Sequence, residues 1–387
     1  MKSTVYFDNA ATTPLDPIVL DAMMPYLTNK YGNASSLHSV GTSSKEVLEN
    51  CRGQIAGYIN ANPDELVFTS SGTESNNLAI KGIAFANRTK GNHIIVSSIE
   101  HDCVLNACKW LETQGFYITY LPVNSDGFVS IDEMKKHINP KTILVSMMHG
   151  NNEIGTIQNL EEIGKICREQ GTLFHSDACQ SFGKVPVDVQ RMNLDLLTIN
   201  SHKIYGPKGV GGLFIRKGIK ITPWLHGGGQ EFGIRSSTEN IAGIVGFAKA
   251  AELCITNFNK EIPRLTQLRD KTIAAILDNI DGAYLNGHPT KRLANNINIC
   301  IQGLEGETIR LLLLLDEAGI AVSAGSACSS NDKTASASHV LQAIGLNQFE
   351  ARGSIRISLG RFNTEADVDT FIDALKQSIL KLNPIFS

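Results

Sequence analysis

Residues 194–212 read LDLLTINSHKIYGPKGVGG. An apolar run, LDLLTIN, leads to a lysine at 203 and a glycine-rich turn, and a second apolar run, GGLFIR at 211–216, follows at once. Runs that are continuously apolar, rather than alternating, suit strands covered on both faces. Moving outward toward the N-terminus, the same pattern recurs in ELVFTS, HIIVSS, FYITYLP, TILVSMM and TLFHSD, between residues 65 and 177. Helix-length segments separate them: ESNNLAIKGIAFANR, the stretch from His101 to Gln114, and LEEIGKICREQ. This alternation predicts a largely parallel sheet with helices on each side. Toward the C-terminus, Thr238 to about Ile280 has the apolar periodicity of helices packing on a core. Beyond it lie the strand-like LANNINICIQ and SIRISL, a helix through Ile309–Asp316 and a terminal helix from Glu365 to Leu382. These form a second, smaller α+β unit, joined to the first through a long helix.

The 387 residues are 42% hydrophobic and 19% charged, which excludes the low-hydrophobicity, self-repelling composition of disorder. With 35 Lys plus Arg against 38 Asp plus Glu, spread along the chain, no basic face for a nucleic-acid backbone is visible. No direct nucleic-acid partner is expected. The N-terminal MKSTVYFDNA has no apolar signal core, and the greasiest stretch, Leu311–Leu315, is far short of a membrane span. The eight cysteines show no C-x-x-C and no tight pairing, which fits a reducing cytoplasm. His101, Cys103 and Cys108 offer three potential ligands at uneven spacing, so no metal site is expected.

Three constellations carry chemistry. In FTSSGTESNNLAI, residues 68–80, a strand ends, small residues turn the chain, and a helix begins near Thr73, leaving free N–H groups where a phosphate would sit. Read alone, the segment favours a plain Ser/Thr helix cap, and neither Walker nor G-x-G-x-x-G spacing is present. In FHSDACQ, residues 174–180, Asp177 and Gln180 follow a buried strand; a carboxylate there needs a cationic partner, either an Arg or a protonated ring nitrogen. Lys203 stands just past another buried strand, where it either snorkels to solvent or forms an imine. Together they supply what pyridoxal phosphate requires: a phosphate anchor, an acid for the pyridinium and a Schiff-base amine.

At these residues the chain resembles the class V, fold type I pyridoxal-phosphate enzymes, and within them the cysteine desulfurases of the NifS/IscS kind. The resemblance covers nearly the whole chain through VYFDNAATTPLDP, YGNASSLH, FTSSGTESNNLAIKG, MMHGNNEIGTIQ, HSDACQ, HKIYGPKGVGG, HGGGQE, RSSTEN, SAGSACSS and SIRISLGRFNTEAD. It implies the aspartate aminotransferase-like α/β fold, with a large domain over residues 15–260. A small domain would comprise residues 1–14 and 261–387 and carry a catalytic cysteine loop at about 323–339. It further implies that Lys203 carries the cofactor and Asp177 bonds the pyridinium nitrogen. Gln180 would bond the ring hydroxyl, and His101 would stack on the ring and move protons. Gly72, Thr73, His202 and the residue at 200 would hold the phosphate, with Thr238 reaching across a homodimer to the neighbouring site. Asn152 would serve cofactor and substrate, and Arg356 would clamp the carboxylate of L-cysteine. Cys328, flanked by Ser326, Ser329 and Ser330, falls on the nucleophile that takes the sulfur as a persulfide and releases L-alanine.

The long SSNDKTASASH segment after Cys328 resembles the IscS-like group, which implies delivery of sulfur to an acceptor protein, an iron–sulfur scaffold or a thiolation partner. Another class V enzyme, a selenocysteine lyase or small-amino-acid aminotransferase, would share Lys203 and Asp177 without needing Cys328. A non-catalytic sulfur-relay scaffold would need neither. Three positions depart from the family pattern: Asn200 for a phosphate-binding Ser, Ala34 for Pro, and Ser237 for Gly beside Thr238.

Overall fold

The computed structural model describes residues 4–324 and 337–382. Its strands are Val5–Tyr6 (β1), Leu66–Thr69 (β2), His93–Ser97 (β3), Tyr117–Leu121 (β4), Thr142–Ser146 (β5), Leu173–Asp177 (β6), Leu196–Asn200 (β7), Gly211–Ile215 (β8), Ala283–Leu285 (β9), Asn296–Ile301 (β10), Ile320–Ala321 (β11) and Ser354–Ser358 (β12). Its helices are Pro17–Thr28 (α1), Ser39–Tyr58 (α2), Gly72–Ala86 (α3), Asp102–Thr113 (α4), Ile131–His137 (α5), Leu160–Glu169 (α6), Ile241–Thr256 (α7), Phe258–Asn279 (α8), Thr308–Glu317 (α9), His339–Ala343 (α10) and Glu365–Leu382 (α11).

Seven strands form the main sheet in the order β2-β8-β7-β6-β5-β3-β4. Every residue of β2, β3, β5, β7 and β8 is buried, as the continuous apolar runs require. The β4-β3-β5-β6-β7 portion is parallel throughout, while β8 runs antiparallel to both β7 and β2. The reversal follows from chain length: the turn between Asn200 and Gly211 is too short for the helical crossover that a parallel return needs.

One apolar core, with Leu48, Ile55, Phe174 and Phe247, lies between the sheet and α2, α6 and α7. A second, with Ile83, Val96, Leu111 and Phe116, lies under α3 and α4 on the other face. A separate core gathers Phe7, Leu268, Ile276, Ile299, Leu311, Ile357 and Phe371. It packs the antiparallel sheet β12-β10-β9 against α8, α9 and α11. The expected long connecting helix is instead two, α7 and α8, meeting at 75° around Asn257. At the break the Asn257 side-chain amide donates to the Leu253 carbonyl at 2.8 Å, beside its own backbone N–H bond to the same carbonyl at 3.1 Å. Among the described residues no single helix is long and apolar enough to cross a membrane.

Candidate active site

The groups singled out from the sequence converge on the carboxyl edge of the main sheet. Ser71 caps α3, its hydroxyl accepting from the Glu74 N–H at 3.2 Å, so the Gly72 and Thr73 N–H groups have no intrahelical acceptor. Gly72 is there because of space: a Cβ would collide with the Cys179 sulfur and lie 3.6 Å from the Asn200 amide nitrogen. Asn200 therefore flanks this helix start, and its amide oxygen is buried with no partner among the described residues. The donors and the glycine cradle fit a phosphate.

Asp177 closes β6. One of its carboxylate oxygens accepts from the Asn76 side-chain amide at 2.7 Å, and the other from the Cys179 N–H at 2.8 Å. His101 caps α4, and its Nδ1 accepts from the Cys103 N–H at 3.2 Å. Burial is the largest influence on the His101 ring and holds its pKa below the ordinary histidine range; the Lys203 charge acts in the same direction, against Asp177 and Asp102. Lys203 follows β7 and is close enough to act on Asp8, His101, Cys103, Cys179, Lys184 and His202. Burial first, then the Lys203 charge, lowers Lys184 to about 8, and burial with the same neighbour takes His202 to about 4. The neutral His202 ring meets the Thr12 hydroxyl at 3.1 Å. Gln180 reaches back to the N-terminal segment, donating to the Ala10 carbonyl at 2.9 Å.

Arg356 on β12 is buried. It donates to Asp8 Oδ1 at 2.9 Å and to the Asn152 carbonyl at 3.3 Å, while its Nε has no partner among the described residues. The N-terminal segment, the loop after β5 and the smaller sheet thus meet at one guanidinium. Beneath the site, Glu100 is wholly enclosed; burial pushes its carboxyl up to about 8, with Ser97 and the Met148 N–H donating to one oxygen.

Thr238 is exposed, in the segment between β8 and α7. Ser237 beside it has φ 121°, a conformation that favours glycine, and Ala34 is buried. Glu231 ties this segment down through a buried ion pair with Arg52, at 2.7 Å. Cys328 lies outside the described residues. Asp8 and Asn76 were missed as site residues in the sequence, and Cys103 was weighed there only as a metal ligand. Asp8 and Asn76 do fall inside the strings DNAATTP and SGTESNN, which are polar where flanking segments are apolar, but nothing in their spacing points to a partner.

Residues 5–371 match the family described as aminotransferase class-V, and the chain belongs to it. Over 385 residues it is 52% identical to cysteine desulfurase IscS of Dictyoglomus turgidum, covering 100% of this chain and 97% of that relative. A solved NifS-like protein superposes with TM-score 0.91 at 38% identity, covering 98% of this chain and 100% of that one. The solved structure of SspA in complex with cysteine superposes with TM-score 0.82 at 37% identity, covering 93% and 100%. Within its class, the chain is a cysteine desulfurase acting in sulfur transfer.

Proposed function

We propose that this enzyme holds pyridoxal phosphate at the described sheet edge and uses it to move sulfur from L-cysteine to Cys328. The carrying observation is the convergence of Lys203, Asp177, His101 and the α3 N-terminus on one edge, within range of each other's charges. When bound, the cofactor supplies an electron sink for charge released at the substrate α-carbon. Lys203 holds it covalently, and Asp177 keeps its ring nitrogen protonated through a charge-assisted bond worth about 1.5–3 kcal/mol. Gln180 orients the ring hydroxyl, and Asn152 contributes to cofactor and substrate placement. Gly72, Thr73, Asn200 and His202 hold the phosphate, with Thr238 supplied from the partner of a homodimer. Arg356 receives the substrate carboxylate.

The Cys328 thiolate attacks the substrate sulfur. The C–S bond breaks, and its electron pair remains on the carbon that becomes the methyl group of L-alanine. That carbon takes up the proton given up by the substrate thiol, with His101 as the group that moves it. A persulfide on Cys328 remains, for transfer to an acceptor protein, an iron–sulfur scaffold or a thiolation partner, in the cytoplasm. The separate cores support a division into a large domain, 15–260, and a small one, 1–14 with 261–387. The test is sulfide and alanine release from L-cysteine with a reductant: Cys328→Ser is expected to keep the cofactor's yellow colour and lose sulfide release. Desulfuration at the parental rate by that variant would exclude the persulfide route and favour a class V enzyme that works without this cysteine.

A further inference from the structure

Between Asp177 and His101 stand two side chains that no step above uses. Asn76, wholly buried on α3, donates one amide hydrogen to Asp177 Oδ2 at 2.7 Å. The same nitrogen lies 3.2 Å from the Cys103 sulfur, which in turn lies 3.1 Å from His101 Nδ1. Donor and acceptor capacity orders this chain. A carboxylate only accepts, so the Asn76 nitrogen faces Asp177, and its second hydrogen is free for the sulfur. The Asn76 oxygen has no partner among the described residues, and exchanging it with the nitrogen would set an oxygen against the carboxylate. The Asn76 amide and the Thr73 hydroxyl both bond the sulfur and favour its thiolate, as donors to it do, which directs the thiol hydrogen to His101 Nδ1, already facing the Cys103 N–H at 3.2 Å.

We infer that Asn76 and Cys103 form a directed hydrogen-bond relay from Asp177 to His101 that fixes the neutral imidazole proton on Nε2. Both are positioning residues: they act through His101 and Asp177. Two donors aimed at Nδ1 disfavour a proton on that nitrogen and so oppose the imidazolium, which forms by protonation there. The thiol is suited to its part, since burial and the Asp177 charge push it up to about 12 and keep it protonated at neutral pH. The other groups facing the ring are Lys203 and Asp177 from the sheet edge, Asp102 from α4 and His339 from α10; Lys203 and His339 oppose the imidazolium, and the two aspartates favour it.

The inference rests on the proposed role of His101 in proton transfer, and its test separates the two. In the holoenzyme labelled with nitrogen-15 histidine, with the His101 signals assigned by their loss in His101→Gln, Nε2 is expected to be protonated and Nδ1 not at pH 7. Cys103→Ala removes one donor to Nδ1, and His101 should then take up a proton about three- to tenfold more readily, the equivalent of one net hydrogen bond. Its titration midpoint and the acidic limb of the turnover profile should rise together. Cys103→Ser restores a donor and should return both toward the parent. A parental His101 protonated on Nδ1, or a midpoint unmoved in Cys103→Ala, would overturn the relay. Parental turnover in His101→Gln would instead remove His101 from the chemistry and leave the tautomer result standing.

Discussion

The segment between β8 and α7 carries Thr238, and its attachment to the sheet gives a quantitative test through Glu231→Gln. Glu231 and Arg52 both have side chains only 2% exposed. Two guanidinium nitrogens donate to the two carboxylate oxygens at 2.7 and 2.8 Å, and the Phe68 N–H adds a third bond at 2.7 Å. Glu231 has φ 46° and Phe232 φ 59°, so the pair holds a backbone that costs about 1–3 kcal/mol per residue. The guanidinium lies 4.9 Å from the ring centroids of both Phe68 and Phe232. Removing the Glu231 charge leaves Arg52 enclosed, with the Leu66 carbonyl at 2.8 Å and the half-exposed Glu49 at 3.0 Å as remaining partners. Breaking a buried pair from one side costs about 3–5 kcal/mol. Because Gln keeps the shape and one acceptor oxygen, we expect the lower end, about 3 kcal/mol. Urea unfolding followed by circular dichroism reads the loss. The double variant Arg52→Met, Glu231→Leu removes both charges and should recover most of it. A loss below about 1 kcal/mol in Glu231→Gln, or a double variant as unstable as the sum of the singles, would refute the argument.

Three further outcomes follow from the same structure. Glu100 is neutral when folded up to about pH 8 and ionises near 4.5 when unfolded, so its contribution is complete below pH 4.5 and is lost as pH rises toward 8. The parent should therefore lose up to about 1.4 kcal/mol per pH unit across that window relative to Glu100→Gln, and parallel stability curves would exclude a neutral Glu100. Ser237→Gly relieves a left-handed residue and should raise stability by roughly 1 kcal/mol; an unchanged or lower thermal midpoint would show that Ser237 is not strained. Asn200→Ser should slow cofactor dissociation by replacing an amide whose buried oxygen has no partner among the described residues with a hydroxyl beside the α3 start, and an unchanged off-rate would remove Asn200 from the phosphate contacts.

The sheet was legible because continuous apolar runs such as LDLLTIN and TILVSMM demand cover on both faces, and burial of β5 and β7 answers that demand. The antiparallel return of β8 was implicit in the shortness of the 201–210 turn, a constraint that periodicity alone does not express. The break at Asn257 was not legible, because helical periodicity runs through such a point without a mark. In the site, Lys203 and Asp177 stood out because each ends or follows an apolar run, where a polar group needs a reason, whereas the role of His101 came from the family resemblance. Asp8 and Asn76 sit in polar strings whose spacing points to no partner. Asp8 meets Arg356 across 348 positions of sequence, and Asn76 meets Asp177 across 101, so their meaning depends on packing that no local pattern encodes.

The central claim is that Lys203 is the amine that holds the cofactor. Borohydride reduction of the yellow enzyme, followed by digestion and mass spectrometry, fixes the pyridoxyl group wherever it was attached. The account predicts the modification on the peptide containing Lys203, abolished in Lys203→Ala. A pyridoxyl group on Lys184, the buried lysine whose pKa falls to about 8 in the same neighbourhood, or on any other lysine, would contradict it.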